Sequence, residues 1–232
     1  MQITDIRSRA PKHPHKSLTY RSLWGVRQIV IHHGMTRRGL AGTNLESYLQ
    51  YHVRTNNWSC GGYPFGVEPD GKIKQAYDME VQTPHVGNAN RHSLGIVLPG
   101  DFRYEEPTEI QWKHAMELTL YLLQQLPIKN IKILGHQEVS GYSWKECPAF
   151  NMDKFRRDVK RVENGGKIIK EEDEKMTKTQ LRPVITMLEK WTDKRKYSNP
   201  LDKSWLDKAK KGKLTHANVT RLQYEADVRG MR

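Results

Sequence analysis

Apolar positions in the first 160 residues form short continuous runs that polar turns separate. A run of this kind, bounded by turn residues, predicts a buried strand. The first run leads directly into His32-His33 and the third into Gly135-His136, so we expect histidines at the ends of two strands. The three runs cover residues 27–31, 93–98 and 128–134.

Other segments have the period of a helix or the pattern of a hairpin. Asn44 precedes apolar residues at helical spacing and is a suitable N-cap. Thr108 and Gln111 resemble a capping box that opens a long helix, which Pro127 ends. Pro69-Asp70-Gly71 joins two strand-like runs, as hairpin turns do. This alternation predicts an α/β domain with a mixed central β-sheet flanked by helices.

The pattern changes after residue 162, where Asn164-Gly165-Gly166 and a charge-dense stretch follow. We therefore predict a first domain at 1–162, a charged linker at 163–180 and a small helical unit at 181–232. A surface helix of the first domain is the alternative for the linker. Three short helices are expected in the small unit: one that Pro183 starts, one over 204–211, and one from Thr215 or His216.

The chain of 232 residues has a formal net charge of +13 at pH 7. So basic a surface favours binding to a polyanion, such as nucleic acid, an anionic membrane or an anionic cell wall. The simpler interpretation is that the charge only keeps the surface solvated. Residues 160–232 hold 19 basic and 11 acidic side chains, so the C-terminal part is the more basic per residue. No stretch approaches the roughly 20 apolar residues of a membrane span.

The cysteines and the first residues of the chain indicate the cellular compartment in which we expect the protein. Cys60 and Cys147 are the only cysteines, which gives no disulfide framework, and we expect Cys60 to be a free, partly buried thiol. Residues 1–10 contain no apolar stretch like that of a secretory signal. We therefore expect a protein that is made in the cytoplasm and stays there until something releases it.

His32, His136 and Cys147 are residue types that bind zinc. Two imidazoles and one thiolate suit Zn²⁺, and three protein ligands leave a fourth position for water, as in catalytic sites. Their wide separation in sequence makes this a weak indication by itself. Because neighbouring strand residues point to opposite faces, only one of His32 and His33 can face such a metal.

Five short motifs occur in order: Ile29-Val-Ile-His32-His33, Trp58-Ser-Cys-Gly-Gly-Tyr63-Pro-Phe65, Ser93-Leu-Gly-Ile-Val, Gly135-His136-Gln-Glu138 and Lys145-Glu-Cys147-Pro148. Together they resemble the zinc-dependent N-acetylmuramoyl-L-alanine amidases of the type-2 amidase family. That family includes phage endolysins, bacterial autolysins and animal peptidoglycan-recognition proteins. The resemblance covers about residues 20–160 and leaves out the C-terminal unit.

The resemblance implies a role for each matching residue. His32, rather than His33, matches the first zinc ligand, and His136 and Cys147 match the other two. Tyr63 and Lys145 match catalytic residues of the phage branch.

Three further positions complete the comparison. His85 matches a histidine that contacts substrate. Glu138 is either a partner of a ligand histidine or an ordinary loop acid. Val97 stands where one branch carries a catalytic glutamate, so the chain looks like the tyrosine and lysine branch that many phage lysins share.

The implied reaction is hydrolysis of the amide between N-acetylmuramic acid and L-alanine. One zinc ion would lower the pKa of a bound water and polarise the carbonyl. Lys145 would stabilise the oxyanion, and the Tyr63 hydroxyl is a second candidate for that role. Tyr63 could instead orient the water or relay a proton, and the sequence does not choose between these roles.

We accordingly expect a monomeric phage endolysin that lyses bacterial cell walls. It would wait in the host cytoplasm until a holin pore releases it to the wall. The alternatives are a non-catalytic peptidoglycan-binding protein, a host autolysin and a muropeptide-recycling amidase. A nucleic-acid binder is supported by charge alone, since no binding motif is present.

The C-terminal unit is expected to bind anionic wall polymers through its basic charge and exposed aromatic residues, namely Trp191, Tyr197, Trp205 and Tyr224. A helical cap that packs on the first domain is the alternative. We expect the remaining histidines His52, His92 and His114 to lie at the surface and Trp112 to lie in the core.

Overall fold

The computed structural model describes residues 1–165, 178–193 and 201–215, together with Asn218, Val219, Leu222 and Ala226. The chain divides into two compact units, Met1–Lys167 and Ile168–Arg232. Most of the predicted linker 163–180 lies outside the described residues, and its last three residues are helical.

A six-stranded mixed sheet forms the centre of the first unit, which confirms the predicted architecture. Its strands are β1 (Ile3–Asp5), β2 (Gln28–His33), β3 (Phe65–Val67), β4 (Ile73–Gln75), β5 (Ser93–Leu98) and β6 (Lys132–Gly135). They lie in the order β1-β4-β3-β5-β2-β6. The predicted hairpin is the antiparallel pair β3–β4, and the other described pairs are parallel.

Two strand predictions need correction. β6 begins at Lys132, because residues 128–130 form bends and Ile131 has no regular structure. β1 was not predicted, since a three-residue strand at the edge of the sheet has too few apolar positions to give a pattern.

Three helices flank the sheet: α1 (Leu45–Arg54), α2 (Glu109–Gln125) and α3 (Met152–Glu163). Asn44 caps α1, and Thr108 caps α2 by accepting the Gln111 N–H at 3.1 Å. The second half of the predicted capping box is wrong. The buried Gln111 amide instead donates to the carbonyls of Val67 and Pro99, and so joins α2 to the sheet. α3, which Asn151 caps, was not predicted.

The sheet separates two apolar layers. On one face, Ile29 and Ile31 of β2 belong to a core that includes Met116 of α2 and Phe155 of α3. On the other face, Val97 of β5 belongs to a core that includes residues of α1. Because side chains alternate along a strand, the sheet is buried on both faces, and the polar residues at its carboxyl end lie in a largely apolar setting.

The second unit contains α4 (Lys178–Trp191) and α5 (Lys203–Lys210) around its own core. Pro183 lies inside α4 and does not start it, because the helix already includes the buried Leu181. Trp191 is also buried in this core, and Trp205 is half-buried, so neither is the exposed residue that we predicted.

After residue 215, the structure describes four residues of this unit. Leu222 and Ala226, on the predicted third helix, are buried in the same core. Tyr197 and Tyr224 lie outside the described residues. Within the described ranges, each helix is too short or too polar to traverse a bilayer.

Candidate metal centre

Three side chains able to bind a metal meet at the carboxyl end of the sheet. His32 lies near the end of β2, His136 directly follows β6, and Cys147 lies in the loop beyond. β2 and β6 are parallel neighbours, so their carboxyl ends lie side by side. One donor atom from each residue lies within 4.8 Å of the others. The Sγ atom of Cys147 is 3.7 Å from Nδ1 of His32.

The state of these donors fits a zinc ion. Nε2 of His136 is buried and has no hydrogen-bond partner among the described residues, an arrangement that costs free energy unless something binds the atom. Burial lowers the pKa of His32 well below its usual range and that of His136 to about 4. Burial also raises the pKa of the Cys147 thiol to about 12. Two neutral imidazoles and a sulfur suit Zn²⁺, whose binding would displace the thiol proton.

His33 points to the opposite face of β2 from His32. Its Nδ1 atom accepts the Phe102 N–H at 3.2 Å, and its ring packs against the Phe102 ring. Its backbone N–H donates to Sγ of Cys147 at 3.4 Å, which lowers the pKa of that thiol and partly opposes burial. His33 therefore acts on the cluster through its backbone.

Tyr63 lies beside the cluster, with its ring centre 5.1 Å from that of His32. Burial, and then the nearby Cys147, raise the pKa of the Tyr63 phenol. The hydroxyl therefore keeps its proton at neutral pH and is able to donate a hydrogen bond.

Lys145 is half-buried and lies close enough to the cluster for its charge to act there. Its ammonium nitrogen is 4.2 Å from the ring centre of Trp144, which is 71% exposed. The positive charge of Lys145 lowers the pKa of both His136 and Cys147, so it acts on both groups.

His85 is buried beside the cluster. Its Nδ1 atom lies 3.0 Å from Nε2 of His32, and its Nε2 atom lies 3.3 Å from the Ser93 carbonyl oxygen. Burial lowers the pKa of His85 to about 3. Both ring nitrogens thus have partners inside the protein.

Glu138 acts on the backbone near His136. Its carboxylate accepts the Gly135 N–H at 2.8 Å and two hydrogen bonds from Arg156. Arg156 also binds Asp153 and the Ile133 carbonyl. The described hydrogen bonds of Glu138 therefore hold the turn that carries His136 and do not involve the imidazole ring.

Val97 lies opposite His32 in the register of β2 and β5 and is fully buried. At this position the chain therefore presents an apolar side chain to the interior.

Two of the histidines expected at the surface, His52 and His114, need correction. His52 is half-buried because its ring stacks on Trp58 and its Nδ1 atom accepts the Gly62 N–H at 3.0 Å. His114 is half-buried because its Nδ1 atom lies 2.6 Å from the Gly71 carbonyl oxygen.

The burial of His92, Trp112 and Cys60 is closer to what the sequence predicted. His92 is exposed. Trp112 is half-buried and packs against the main core. Cys60 is a free thiol, but it is 1% exposed and thus fully buried, since it packs in the core beside α1.

Trp144 and Arg156 are site residues that the sequence reasoning missed. Trp144 could have been found as the neighbour of Lys145. Arg156 gave no signal, because it lies 18 residues after its partner Glu138, and only the fold brings them together.

Comparisons with known proteins agree with this fold. The family model Amidase_2, described as N-acetylmuramoyl-L-alanine amidase, matches residues 23–150, which is more than half of the chain. Peptidoglycan-recognition protein LB of Drosophila melanogaster is 28% identical over 150 residues, covering 56% of this chain and 63% of that protein. An N-acetylmuramoyl-L-alanine amidase of Sus scrofa is 24% identical over 118 residues, covering 49% of this chain and 19% of that protein. The chain thus spans less than two thirds of the length of these relatives.

Two solved structures illustrate the shared fold. The endolysin amidase LysCS from Clostridium intestinale URNW has a TM-score of 0.55 at 21% identity, covering 72% of this chain and 97% of that one. Wild-type Drosophila PGRP-LB has a TM-score of 0.53 at 27% identity, covering 63% of this chain and 87% of that one.

Proposed function

The chain belongs to the N-acetylmuramoyl-L-alanine amidase family, the type-2 amidases and peptidoglycan-recognition proteins, and from this we propose that it is a zinc-dependent peptidoglycan amidase. Its substrate would be the amide between N-acetylmuramic acid and L-alanine. The observation that carries the proposal is the convergence of donor atoms from His32, His136 and Cys147 within 4.8 Å.

These three residues would hold one zinc ion, which when bound supplies a Lewis acid that polarises the amide carbonyl and activates water. The Tyr63 hydroxyl, which keeps its proton, donates a hydrogen bond to the developing oxyanion. The Lys145 ammonium adds positive charge beside the same cluster. Both side chains therefore stabilise negative charge that develops in the transition state.

Val97 leaves this chain without a carboxylate opposite His32. The Tyr63 and Lys145 side chains are then the polar groups that assist the reaction. Because Tyr63 and Lys145 match catalytic residues of the phage branch of the family, we also propose that the protein is an endolysin. It would be made in the host cytoplasm and reach the wall through a holin pore. Expression in a bacterial host should cause lysis when a pore-forming holin is co-expressed and little lysis without it.

Digestion of purified cell walls tests the amidase. We expect new L-alanine amino termini, no new reducing sugars, and loss of release after a zinc chelator. Cys147→Ser should abolish release, whereas Cys60→Ser, which changes a buried thiol outside the cluster, should retain it. New reducing sugars would indicate a glycosidase instead. Wall binding without any release would indicate a recognition protein.

For the second unit, we propose a wall-binding role directed at anionic wall polymers. Lys203, Lys208 and Lys210 of α5 are exposed, and Lys211 and Lys213 follow them at the surface. Lys208 lies 4.5 Å from the ring centre of Trp205, which leaves a mixed aromatic and basic surface. Such a surface suits repeated phosphate groups.

Charge removal in the full-length chain tests this role. Changing Lys208, Lys211 and Lys213 to Gln should weaken binding to intact walls at least several-fold. A control with three exposed lysines of the first unit changed, Lys113, Lys129 and Lys132, should bind as the wild type does. If walls stripped of their phosphate polymers bind the wild type equally well, the proposed ligand is wrong.

A further inference from the structure

His85 occupies an unusual place for a residue expected to contact substrate. The residue is 8% exposed, and its two ring nitrogens face His32 on one side and the Ser93 carbonyl on the other. A group enclosed in this way has no nitrogen left to bind a substrate. Its action has to pass through His32.

The donor and acceptor of each hydrogen bond between His32, His85 and the Ser93 carbonyl follow from their chemistry. A carbonyl oxygen only accepts, so Nε2 of His85 carries the proton that it donates to Ser93. In the neutral ring, Nδ1 of His85 is then an acceptor. The partner atom, Nε2 of His32, therefore donates to it across 3.0 Å. This leaves the lone pair of His32 on Nδ1, the atom that lies 3.7 Å from Sγ of Cys147.

We infer that His85 is a positioning residue that fixes the tautomer of His32, so that Nδ1 of His32 faces the metal position. A ligand histidine whose other nitrogen donates to a fixed acceptor has its ring orientation and tautomer set in advance. The inference rests on the proposed function only in taking His32 as a metal ligand.

The surroundings hold His85 in this orientation. The Asn90 side-chain oxygen accepts the N–H groups of both His85 and Val86, at 2.9 and 2.7 Å. Arg21 is buried and donates to the same Ser93 carbonyl that His85 contacts. These contacts fix the backbone of His85 on one side and the acceptor of its ring proton on the other.

Gly95 provides the space that the His85 ring occupies. A Cβ atom at residue 95 would lie 2.9 Å from Nδ1 of His85 and 3.1 Å from its Cε1 atom, too close for a carbon atom. The glycine of the Ser93-Leu-Gly-Ile motif therefore has a physical role, because any side chain there would displace the ring that orients His32.

Two measurements on the full-length protein test the inference. In the metal-free wild type, nitrogen NMR should find the His32 proton on Nε2; a proton on Nδ1 would overturn the inference. Zinc affinity, measured by competition with a chromogenic chelator, should fall about 10- to 100-fold in His85→Phe, which keeps a ring and loses both nitrogens. The control His92→Phe changes an exposed histidine and should bind zinc as the wild type does.

Two further variants separate positioning from general damage. His85→Asn offers a side-chain oxygen as acceptor for His32 and should recover part of the affinity that His85→Phe loses. Gly95→Ala leaves both histidines in the sequence but should weaken zinc binding, because its Cβ displaces the His85 ring. Unchanged zinc affinity in both His85→Phe and Gly95→Ala would refute the positioning role. If the wild type binds no zinc, the proposed function fails, whereas the NMR result still decides the tautomer.

Discussion

The ammonium of Lys145 lies 4.2 Å from the ring centre of Trp144, a residue that is 71% exposed. Such a contact at an exposed site is worth about 0.5–1 kcal/mol. We predict that Trp144→Ala lowers kcat about 2- to 5-fold, because the ammonium is held less well, and that Trp144→Phe keeps most of the rate. Trp144→Ala should lower the free energy of unfolding in urea by no more than about 1 kcal/mol, the value of the contact itself, so the fold is retained.

A control distinguishes this effect from the loss of any surface tryptophan. Trp24 is 68% exposed and precedes β2, at the opposite end of that strand from His32. Trp24→Ala should leave kcat unchanged. An equal fall in kcat for both alanine variants would contradict the proposed role of Trp144.

Metal removal should destabilise the protein. At a free zinc concentration 1,000 times Kd, binding to the folded state alone adds about 4 kcal/mol to the free energy of unfolding. Denaturant unfolding with zinc and with a chelator measures this difference. The gain should vanish in Cys147→Ser and persist in Cys60→Ser; a gain that persists in Cys147→Ser would remove that cysteine from the ligand set.

His52 should make the protein sensitive to acid. Burial lowers the pKa of His52 to about 4, from 6.5, and its unprotonated Nδ1 accepts the Gly62 N–H. The unfolded chain therefore takes up the proton first, so the stabilisation is complete above pH 6.5 and is lost as the pH falls towards 4.

His52→Asn tests this dependence, since an amide oxygen is able to accept from Gly62 and does not titrate in this range. In metal-free protein, the free energy of unfolding should fall less steeply from pH 6.5 to pH 4 in this variant than in the wild type. Equal slopes would show that His52 does not contribute.

The Glu138–Arg156 pair should stabilise the turn that carries His136. Both side chains are about 30% exposed, so the pair is worth about 0.5–1 kcal/mol. A double-mutant cycle of Glu138→Ala and Arg156→Ala, measured by urea unfolding, should give a coupling energy of this size. Lys160→Ala, an exposed change on α3, should show no coupling to Glu138→Ala. Zero coupling for Arg156 would mean that the pair contributes nothing.

The buried strands and their neighbours were predictable because local pattern determines them. The apolar run of β5 gave its bounds directly, and Asn44 identified the start of α1. β1 gave no pattern, because it has only three residues, and its packing at the sheet edge decides its structure. α3 did carry a local signal that was not recognised, since Asn151 is an N-cap and the buried Met152, Phe155 and Val159 recur at helical spacing.

The chemistry of the site was predictable in part. The motifs indicated His32, His136 and Cys147, and the fold brings them together. The contacts of His85 and Glu138 were not predictable, because a sequence motif states which residue is present but not which way its side chain turns. His85 turns inward because Gly95 leaves space for it.

The parallel pairing of β2 with β6 also has a kinetic consequence. Parallel neighbours require long connections, and His32 and Cys147 lie 115 positions apart in the chain. Contacts of such high separation form late during folding, since the entropy of closing the intervening loop has to be lost first. The transition state would then lack the complete cluster, so zinc should slow unfolding and leave the rate of folding almost unchanged. The metal would therefore bind after the domain has folded and would act by making unfolding slower.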